Sequence, residues 1–469
     1  MVDNYMTLIS RFSRNIETTR DFITLVEPLI EQHGKKQISD NIEHFAPLLI
    51  LYESMLMEDE HKIDVAMLAR AKKVVKIKVS DDKKSFAFKD YTSYKNFVKA
   101  RDKLELISGR SKHLYEVSLI SLISSVEWFL SQILHSHFKN YPRLVTANSQ
   151  KPFTYSDLEK FNTLDDAKQF LIDQKVDEII RSDFKSWIDF LKMTLKLDLS
   201  FCELSLNFAE EVFQRRNLLV HNNGIVNNIY LNKTSSEVLQ KFKLKKGSVV
   251  TIDNKYLQDS INMLESIFLC IGSIMWRKQL KEDGEISVYF ETINKLAYNH
   301  MKEGRFEISE KVYFFLESDK EISIHDELMA KVNKWISIKQ QGRFNEIKQD
   351  IVDSDFSAFE DKYVMARHIL LDEYSNAIAI LKVMLKAKKI SLDELKDWPL
   401  FNTLRDNAEF CTLVQDKKVV STKKKAVSTK SKSKSKSSGT KLLEGKMRKG
   451  KRAVAKGNMP KLKVRVSSK

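Results

Sequence analysis

Long amphipathic stretches with few interruptions are the feature that most limits how this chain can fold. Residues 8–30, LISRFSRNIETTRDFITLVEPLI, space their apolar side chains by three and four positions, as a helix with one buried face does. Only 12 Gly and 6 Pro occur in 469 residues, so the chain is poor in residues that form turns. The sequence therefore predicts a mainly α protein, and its apolar content of 42% is enough for two or three domains.

The first two predicted regions divide at residue 102. Residues 1–102 are predicted to be helical with one β-hairpin, which two runs indicate: VVKIKV (74–79) and FAFKDY (86–91), on either side of the polar turn SDDKK. Residues 103–285 are predicted to form a bundle of long antiparallel helices. The stretch HLYEVSLISLISSVEWFLSQILHSHF, at 113–138, is the longest and most apolar of these helices.

Weak internal repeats follow in residues 286–415. KEGRF, QQGRF and LLDEY open three similar segments, whose aromatic residues Phe306, Phe344 and Tyr374 lie 38 and 30 positions apart. A period near the mid-thirties, built of helix, turn and helix, is typical of tetratricopeptide-like repeats. Such repeats stack into an α-solenoid that presents a concave face to a protein partner.

Positive charge is concentrated at the C-terminal end of the sequence. Residues 417–469 hold 20 Lys and Arg and one acid, Glu444, so they carry +19 and the rest of the chain −3, for a net +16. The Lys/Ser-rich tail, residues 416–469, is predicted to be disordered because it has little apolar content. Contact with nucleic-acid phosphates is its favoured function, and a solubilising arm or an anionic membrane surface are the alternatives. The tail has no aromatic residue to stack on bases.

Several classes of protein lack support in the sequence. The three cysteines, Cys202, Cys270 and Cys411, are far apart and show no spacing typical of disulfides or zinc sites, as expected in a reducing cytoplasm. We expect no secretory signal, because the N-terminal residues lack a basic flank followed by an apolar core, and no transmembrane segment, because the apolar window SIFLCIGSIMW is too short to span a bilayer. We also expect no metal or other cofactor. No glycine-rich phosphate loop or Gly-x-Ser-x-Gly elbow points to nucleotide or serine chemistry.

One stretch carries a candidate catalytic motif. FQRRNLLVHNNGIVNNIYL, residues 213–231, begins as an amphipathic helix and breaks at Asn-Asn-Gly, which suits a helix C-terminus. His221 could transfer a proton near neutral pH, and Arg216 could bind a phosphate through two contacts. Asn217 would orient the imidazole or a phosphate oxygen. The same residues also fit an ordinary helix end, where His and Arg interact with the helix dipole and the last carbonyls.

Arg216-Asn217, three intervening residues, His221 and then Asn-x-Gly resemble the signature of the HEPN superfamily, and the resemblance covers about residues 103–280. It implies a helical bundle that acts as a dimer. Many members are metal-independent ribonucleases in toxin–antitoxin or phage-defence systems. In this chain the resemblance implies Arg216, Asn217 and His221 as catalytic residues.

Three further residues are implied by the resemblance as support for this site. Glu127 is an acid in the first long bundle helix, where some members place a carboxylate near the motif. Asn222 follows the histidine directly, and Tyr230 lies eight residues beyond it. Non-catalytic members of the superfamily also exist, so the fold does not settle the activity.

The sequence therefore supports three functional hypotheses. The first is an endoribonuclease that acts on RNA as a homodimer, uses the ribose 2′-hydroxyl and leaves a cyclic phosphate. The second is a non-enzymatic protein whose repeats bind a protein partner and whose tail binds nucleic acid. In the third, the tail alone determines an association with nucleic acid. An intact Arg-Asn-x-x-x-His motif favours the first, because a scaffold has no need of all three residues.

Overall fold

The computed structural model describes residues 2–42, 44–46, 91–146 and 161–414. The predicted β-hairpin lies outside the described residues, apart from its last position, which begins a helix. The basic tail, predicted to be disordered, also lies outside them.

The fold is mainly α, as predicted. Its helices are α1 (Val2–Asp40), α2 (Tyr91–Asn140), α3 (Arg143–Thr146), α4 (Leu164–Ile180), α5 (Phe184–Asp189), α6 (Glu203–Asn222), α7 (Asn228–Lys233), α8 (Ser236–Lys241), α9 (Asn254–Arg277), α10 (Asp283–Lys302), α11 (Phe306–Glu317), α12 (Ile324–Gln340), α13 (Lys348–Asp353), α14 (Asp361–Leu370), α15 (Tyr374–Lys386) and α16 (Leu392–Asp397). Short 3-10 or π segments occupy Phe190–Thr194, Ser200–Cys202, Phe344–Glu346 and Pro399–Leu404. In the part of the chain that the structure describes there is no strand, and the β-type pairing there is a single antiparallel bridge between Ile225 and Val249.

Four long helices build the core that supports the motif. α9 is buried along most of its length, and α1, α2 and α6 all pack against it. α1 and α2 also pack against each other, and Phe12 stacks on Phe129 with ring centroids 4.4 Å apart. Burying one such side chain contributes about 1.5–3 kcal/mol relative to leaving it in water.

Gly272 of α9 lies where α1, α2 and α9 approach most closely. A Cβ atom at this position would lie 2.7 Å from Cζ of Phe129 and 3.2 Å from Cγ1 of Ile9. The missing side chain therefore lets three helices share one tightly packed layer.

The described residues up to Cys411 belong to one compact unit. α2 begins at Tyr91 and continues through the boundary predicted at residue 102, and α10 begins at Asp283, shortly before the boundary predicted at residue 286. The predicted domain boundaries stay predictions.

A buried ionic network joins α1, α9 and α10 to the residue that precedes α11. Glu265 is fully buried in α9 and accepts a 2.6 Å hydrogen bond from Arg20. His300 Nε2 lies 3.4 Å from the same carboxylate, and Arg305 donates to His300 Nδ1 at 3.0 Å. Arg305 also pairs with Glu17 at 2.9 Å. Burial, together with the two arginines, lowers the pKa of His300 to about 3, so the neutral imidazole can accept that bond.

Three turns in the C-terminal part share one geometry. In each, a residue with positive φ ends a helix: Gly304 (74°), Gly342 (77°) and Asp372 (61°). The next amide bonds the carbonyl five positions back, at 2.8, 3.3 and 2.9 Å, as in a Schellman cap. Two residues after each positive φ, the aromatic residues aligned in the sequence begin the next helical segment: Phe306, Phe344 and Tyr374. A fourth turn, at Lys388 (58°), makes the same bond, from the Lys389 amide to the Met384 carbonyl at 2.9 Å, but no aligned aromatic residue follows it. The tetratricopeptide-like solenoid stays a prediction.

One described helix passes a test of length and composition for crossing a membrane. It covers Tyr94–Asn140 of α2, and half of its most apolar window is buried. The buried side includes Leu119, Leu122, Val126 and Leu130, all fully inaccessible to solvent within the bundle. Core helices of soluble proteins commonly have this character.

Candidate active site

The motif helix ends where the sequence predicts. Asn223 adopts a left-handed conformation with φ of 49°, and Gly224 follows with φ of 73°. The amides of both residues point back to the carbonyl of Leu218, at 3.0 Å for Gly224. The Asn222 side-chain amide donates to the Ile225 carbonyl at 2.5 Å and holds the turn that follows. The backbone and Asn222 thus close this helix end without the histidine.

A buried polar cluster lies beneath the motif and fixes the orientation of α6. Glu211 is 0% exposed and accepts from Arg215 Nε at 2.6 Å, from the Tyr230 hydroxyl at 2.5 Å and from the Tyr256 hydroxyl at 2.7 Å. Arg215 also donates to the Thr251 carbonyl at 2.6 Å and lies 4.0 Å from the centroid of the Tyr256 ring. Burial and the Glu211 charge raise the pKa of both tyrosines far above the usual value, so both stay protonated as donors.

Apolar and aromatic packing reinforces this cluster. Phe213 of α6 stacks on Phe184 of α5 with ring centroids 4.9 Å apart and meets Trp187 edge-on at 5.2 Å. Asp183 begins α5 as its N-cap and accepts from the Ser186 amide at 3.0 Å. The buried side of α6 is therefore held by α5, α7 and α9, and α2 packs against α6 as well. The motif lies on the more exposed side, which we call the outer side.

Arg216 and Glu127 come together on the outer side of α6. The guanidinium of Arg216 donates through one Nη2 to a carboxylate oxygen of Glu127 on α2, and both side chains are half-buried. Its other N–H groups make no hydrogen bond with residues that the structure describes. An arginine held on one side by a carboxylate keeps donors free for a phosphate.

Asn217 and His221 are exposed on α6 and lie four residues apart, so they share a face of the helix. Within the described ranges, neither side chain makes a hydrogen bond or an ion pair. The imidazole is therefore open to solvent at the end of the helix. It is also free of the carbonyl-capping contacts that an ordinary helix end would give it.

The two remaining support residues have structural partners. Asn222 holds the turn after the motif, and Tyr230 is buried against Glu211 rather than on the outer side of α6. The prediction from sequence did not include Arg215, which forms the buried ion pair with Glu211. The spacing of four residues between the two on one helix is the sequence signal that could have indicated this pair.

Apolar side chains are exposed around the end of α6. Val220 (49% exposed) is in the last turns of α6, and Ile229 (65%) is in α7. Ile225 (41%) lies between these two helices, and Val249 (52%) is opposite Ile225 in the antiparallel bridge. We call these four residues the apolar patch. Their neighbours Leu218, Val226, Tyr230 and Val250 are buried in one small cluster beneath. Exposed apolar neighbours such as Ile225 and Val249 are typical of an interaction surface.

Among the described residues, no group of three or more His, Cys, Asp or Glu side chains is arranged to hold a metal ion. A separate cleft of about 560 Å³ involves α11, α12 and the segment after α12. Phe314 lies in that cleft and is half exposed, beside the ion pairs of Arg343 with Glu310 and of Lys334 with Glu317.

No family model matches the chain, and searches of curated proteins and of solved structures find none that is similar to it.

Proposed function

We propose that the chain is a metal-independent endoribonuclease of the HEPN type. The observation that carries the proposal is that the last turns of α6 hold both Arg216, which is paired with Glu127 and has unused donors, and the exposed residues Asn217 and His221. A cation with free donors binds a phosphate, and an exposed imidazole can exchange protons with a substrate. The buried cluster under α6 gives these groups a rigid base, which precise positioning requires.

The reaction that fits these groups is transesterification within RNA. His221 in its neutral form takes the proton of a ribose 2′-hydroxyl, and the oxygen attacks the adjacent phosphorus. The bond from phosphorus to the 5′-oxygen breaks, and a protonated imidazole supplies that oxygen with its proton. The products are a 2′,3′-cyclic phosphate and a free 5′-hydroxyl. Arg216 offsets the charge that builds up on the phosphoryl oxygens, and Asn217 orients a phosphate oxygen or the imidazole.

The proposed active form is a homodimer. One α6 offers one histidine, whereas the reaction needs one group that removes a proton and another that delivers one. A second copy of the chain related by a twofold axis supplies the second histidine, and such dimers are the commonest soluble assemblies. The apolar patch beside His221 is the surface that the second copy would cover. The site would then lie in the groove between two α6 helices.

The biological setting that fits this chemistry is cytoplasmic cleavage of RNA in a toxin–antitoxin or phage-defence system. The basic tail would hold nucleic acid without regard to sequence, because lysines release counterions from any phosphate backbone. The repeats would bind a regulatory protein or select the substrate.

The test is cleavage of fluorescent single-stranded RNA by the full chain in the presence of a chelator. We expect fragments that end in a cyclic phosphate, and no cleavage by the His221→Ala variant. His33→Ala is the matched control, because His33 is exposed on α1 away from the motif. Melting temperature should change little in either variant, since both side chains are exposed. Cleavage that persists in His221→Ala would overturn the proposal.

The alternative function is a non-catalytic interaction protein. The observation that favours it is the half-exposed Phe314 in the cleft by α11 and α12, flanked by ion pairs. An aromatic side chain within a charged rim resembles a binding hot spot. If the full chain fails to cleave RNA while it is folded and dimeric, this alternative becomes the better explanation.

A further inference from the structure

A short basic segment lies next to the motif in a body that is otherwise close to neutral. Residues 232–250 contain five lysines and one acid, Glu237, although residues 1–416 as a whole carry −3. Lys233 pairs with Asp183 at 3.0 Å, and Lys241 lies 5.5 Å from the centroid of the Phe208 ring. The other three lysines are exposed and have no carboxylate partner among the described residues: Lys243, Lys245 and Lys246.

These three lysines sit on a turn of defined shape, residues 243–249, which we call the lysine loop. Lys243 has φ of 52° and Gly247 has φ of 83°. The Ser248 hydroxyl accepts from the Lys245 amide at 3.0 Å and donates to the Lys245 carbonyl at 2.6 Å. The turn is therefore held by its own hydrogen bonds, which limits the entropy lost when its side chains bind a partner.

Backbone hydrogen bonds join the lysine loop to the residues that follow the motif. The Val250 amide donates to the Gly224 carbonyl at 2.9 Å, and the amide of Val226 donates to the Ser248 carbonyl at 2.8 Å. Gly247 then donates to the Val226 carbonyl at 2.9 Å. Gly224 and Val226 are only two residues apart, about 7 Å of extended chain. Gly247 and Ser248, near the end of the lysine loop, therefore lie a short distance beyond the end of α6.

The bridge between Ile225 and Val249 places both side chains on the exposed side, because opposite residues of an antiparallel pair point the same way. Val226 and Val250 point to the buried side. From the end of α6 along this backbone pairing, the order is therefore His221, then the exposed pair of Ile225 and Val249, then the unpaired lysines. In the proposed dimer the lysines border the groove between the two copies.

We propose that the lysine loop holds the phosphates of the RNA strand on one side of the scissile bond. This inference rests on the proposed function and adds to it the surface that directs the strand past His221. Ammonium groups contact phosphates as point charges, and residues 243–249 offer no aromatic side chain to a base. The contact is therefore independent of base sequence.

The first arm of the test measures binding. In the full chain with His221→Ala, the affinity for a 20-nucleotide single-stranded RNA is compared with that of the same chain carrying K243Q, K245Q and K246Q. The control carries K295Q, K348Q and K386Q, which remove the same charge from exposed lysines on α10, α13 and α15. We expect the loop variant to bind about tenfold more weakly, with a salt slope lower by about 2, and the control to change less than twofold.

Equal affinities for the loop variant and the control would overturn the inference, because general charge would then explain binding. Lost binding to anionic phospholipid vesicles with unchanged RNA affinity would overturn it in favour of a membrane surface. The second arm uses chains with His221 intact, where the loop variant should raise KM about tenfold with little change in kcat. If the unaltered chain does not cleave but the binding loss occurs, the proposed function fails and the loop's contact with RNA stands.

Discussion

Arg215 and Arg216 are neighbours in the sequence and lie in opposite environments. Arg215 is 2% exposed and belongs to the cluster around Glu211, where hydroxyls, a carbonyl and aromatic rings surround the ion pair. Arg216 has one carboxylate partner at a half-open surface and unused donors. On a helix, adjacent residues point about 100° apart, so one arginine faces inward and the other outward.

The two arginines are therefore suited to different roles. Arg215 holds the helix in place, and Arg216 is available to a substrate. A buried pair that further hydrogen bonds support keeps α6 in one orientation, and removal of either partner leaves an isolated charge. A half-exposed pair adds little to stability and leaves its arginine available to a ligand. Substitutions at the two positions should therefore affect different measurements.

The largest effect is expected from Arg215→Met. This change keeps much of the apolar stem but leaves Glu211 buried without its cation, which should lower the free energy of unfolding by about 3–5 kcal/mol. Denaturation by urea measures it. The double variant with Glu211→Gln should recover much of the loss, because no isolated charge remains. A loss below about 1 kcal/mol in the single variant would show that the cluster does not hold α6.

Arg216→Ala should have the opposite profile. We expect kcat/KM for RNA cleavage to fall by about 10²–10³, the typical effect of removing one stabilising donor from a transition state. The free energy of unfolding should change by less than about 1 kcal/mol, since the pair with Glu127 is half-exposed. Glu127→Gln, which keeps an acceptor for the guanidinium, should cost less activity. Equal destabilisation by Arg216→Ala and Arg215→Met would remove the distinction between the two arginines.

Tyr230→Phe tests whether this tyrosine belongs to the buried cluster or to the site. Loss of its hydroxyl removes one charge-assisted bond to Glu211, which is worth about 1.5–3 kcal/mol of stability. Tyr256→Phe is the matched control, because it removes a 2.7 Å bond to the same carboxylate. Both variants should cleave RNA normally well below their melting temperatures. A loss of cleavage confined to Tyr230→Phe would place the tyrosine in the reaction.

The mainly α fold was predictable because the apolar spacing persists over long stretches. The same spacing does not show which other helix packs against a buried face. Residues 8–30 predict one buried side, and only the structure shows α1 against α2 and α9, with Gly272 where the three helices meet. Partners far apart in the sequence are chosen by shape and volume, which periodicity does not encode.

The candidate site was predictable in part. Asn-Asn-Gly predicts the end of α6, and the resemblance implies a carboxylate near the motif, where Glu127 pairs with Arg216. The separation of Arg215 from Arg216 was not foreseen, because two adjacent arginines look alike until the direction of the helix in the core is fixed. The sequence also does not show the lysine loop beside the motif, since its position depends on backbone pairing across 24 residues, from Ile225 to Val249.

The smallest effect, expected from Gly224→Ala, concerns the turn that positions His221. An added Cβ would meet Val250 at 3.5 Å and Leu219 at 3.6 Å, which are ordinary contacts, so only the positive φ of 73° is unfavourable. That conformation costs a residue with a side chain about 1 kcal/mol. Gly247→Ala, with φ of 83° and no atom within 4 Å, should cost the same stability. Because Gly224 follows His221 by three residues, strain there should shift the imidazole and lower kcat severalfold, whereas Gly247→Ala should leave kcat unchanged. Equal values of kcat in the two variants would show that the exact end of α6 does not matter for cleavage.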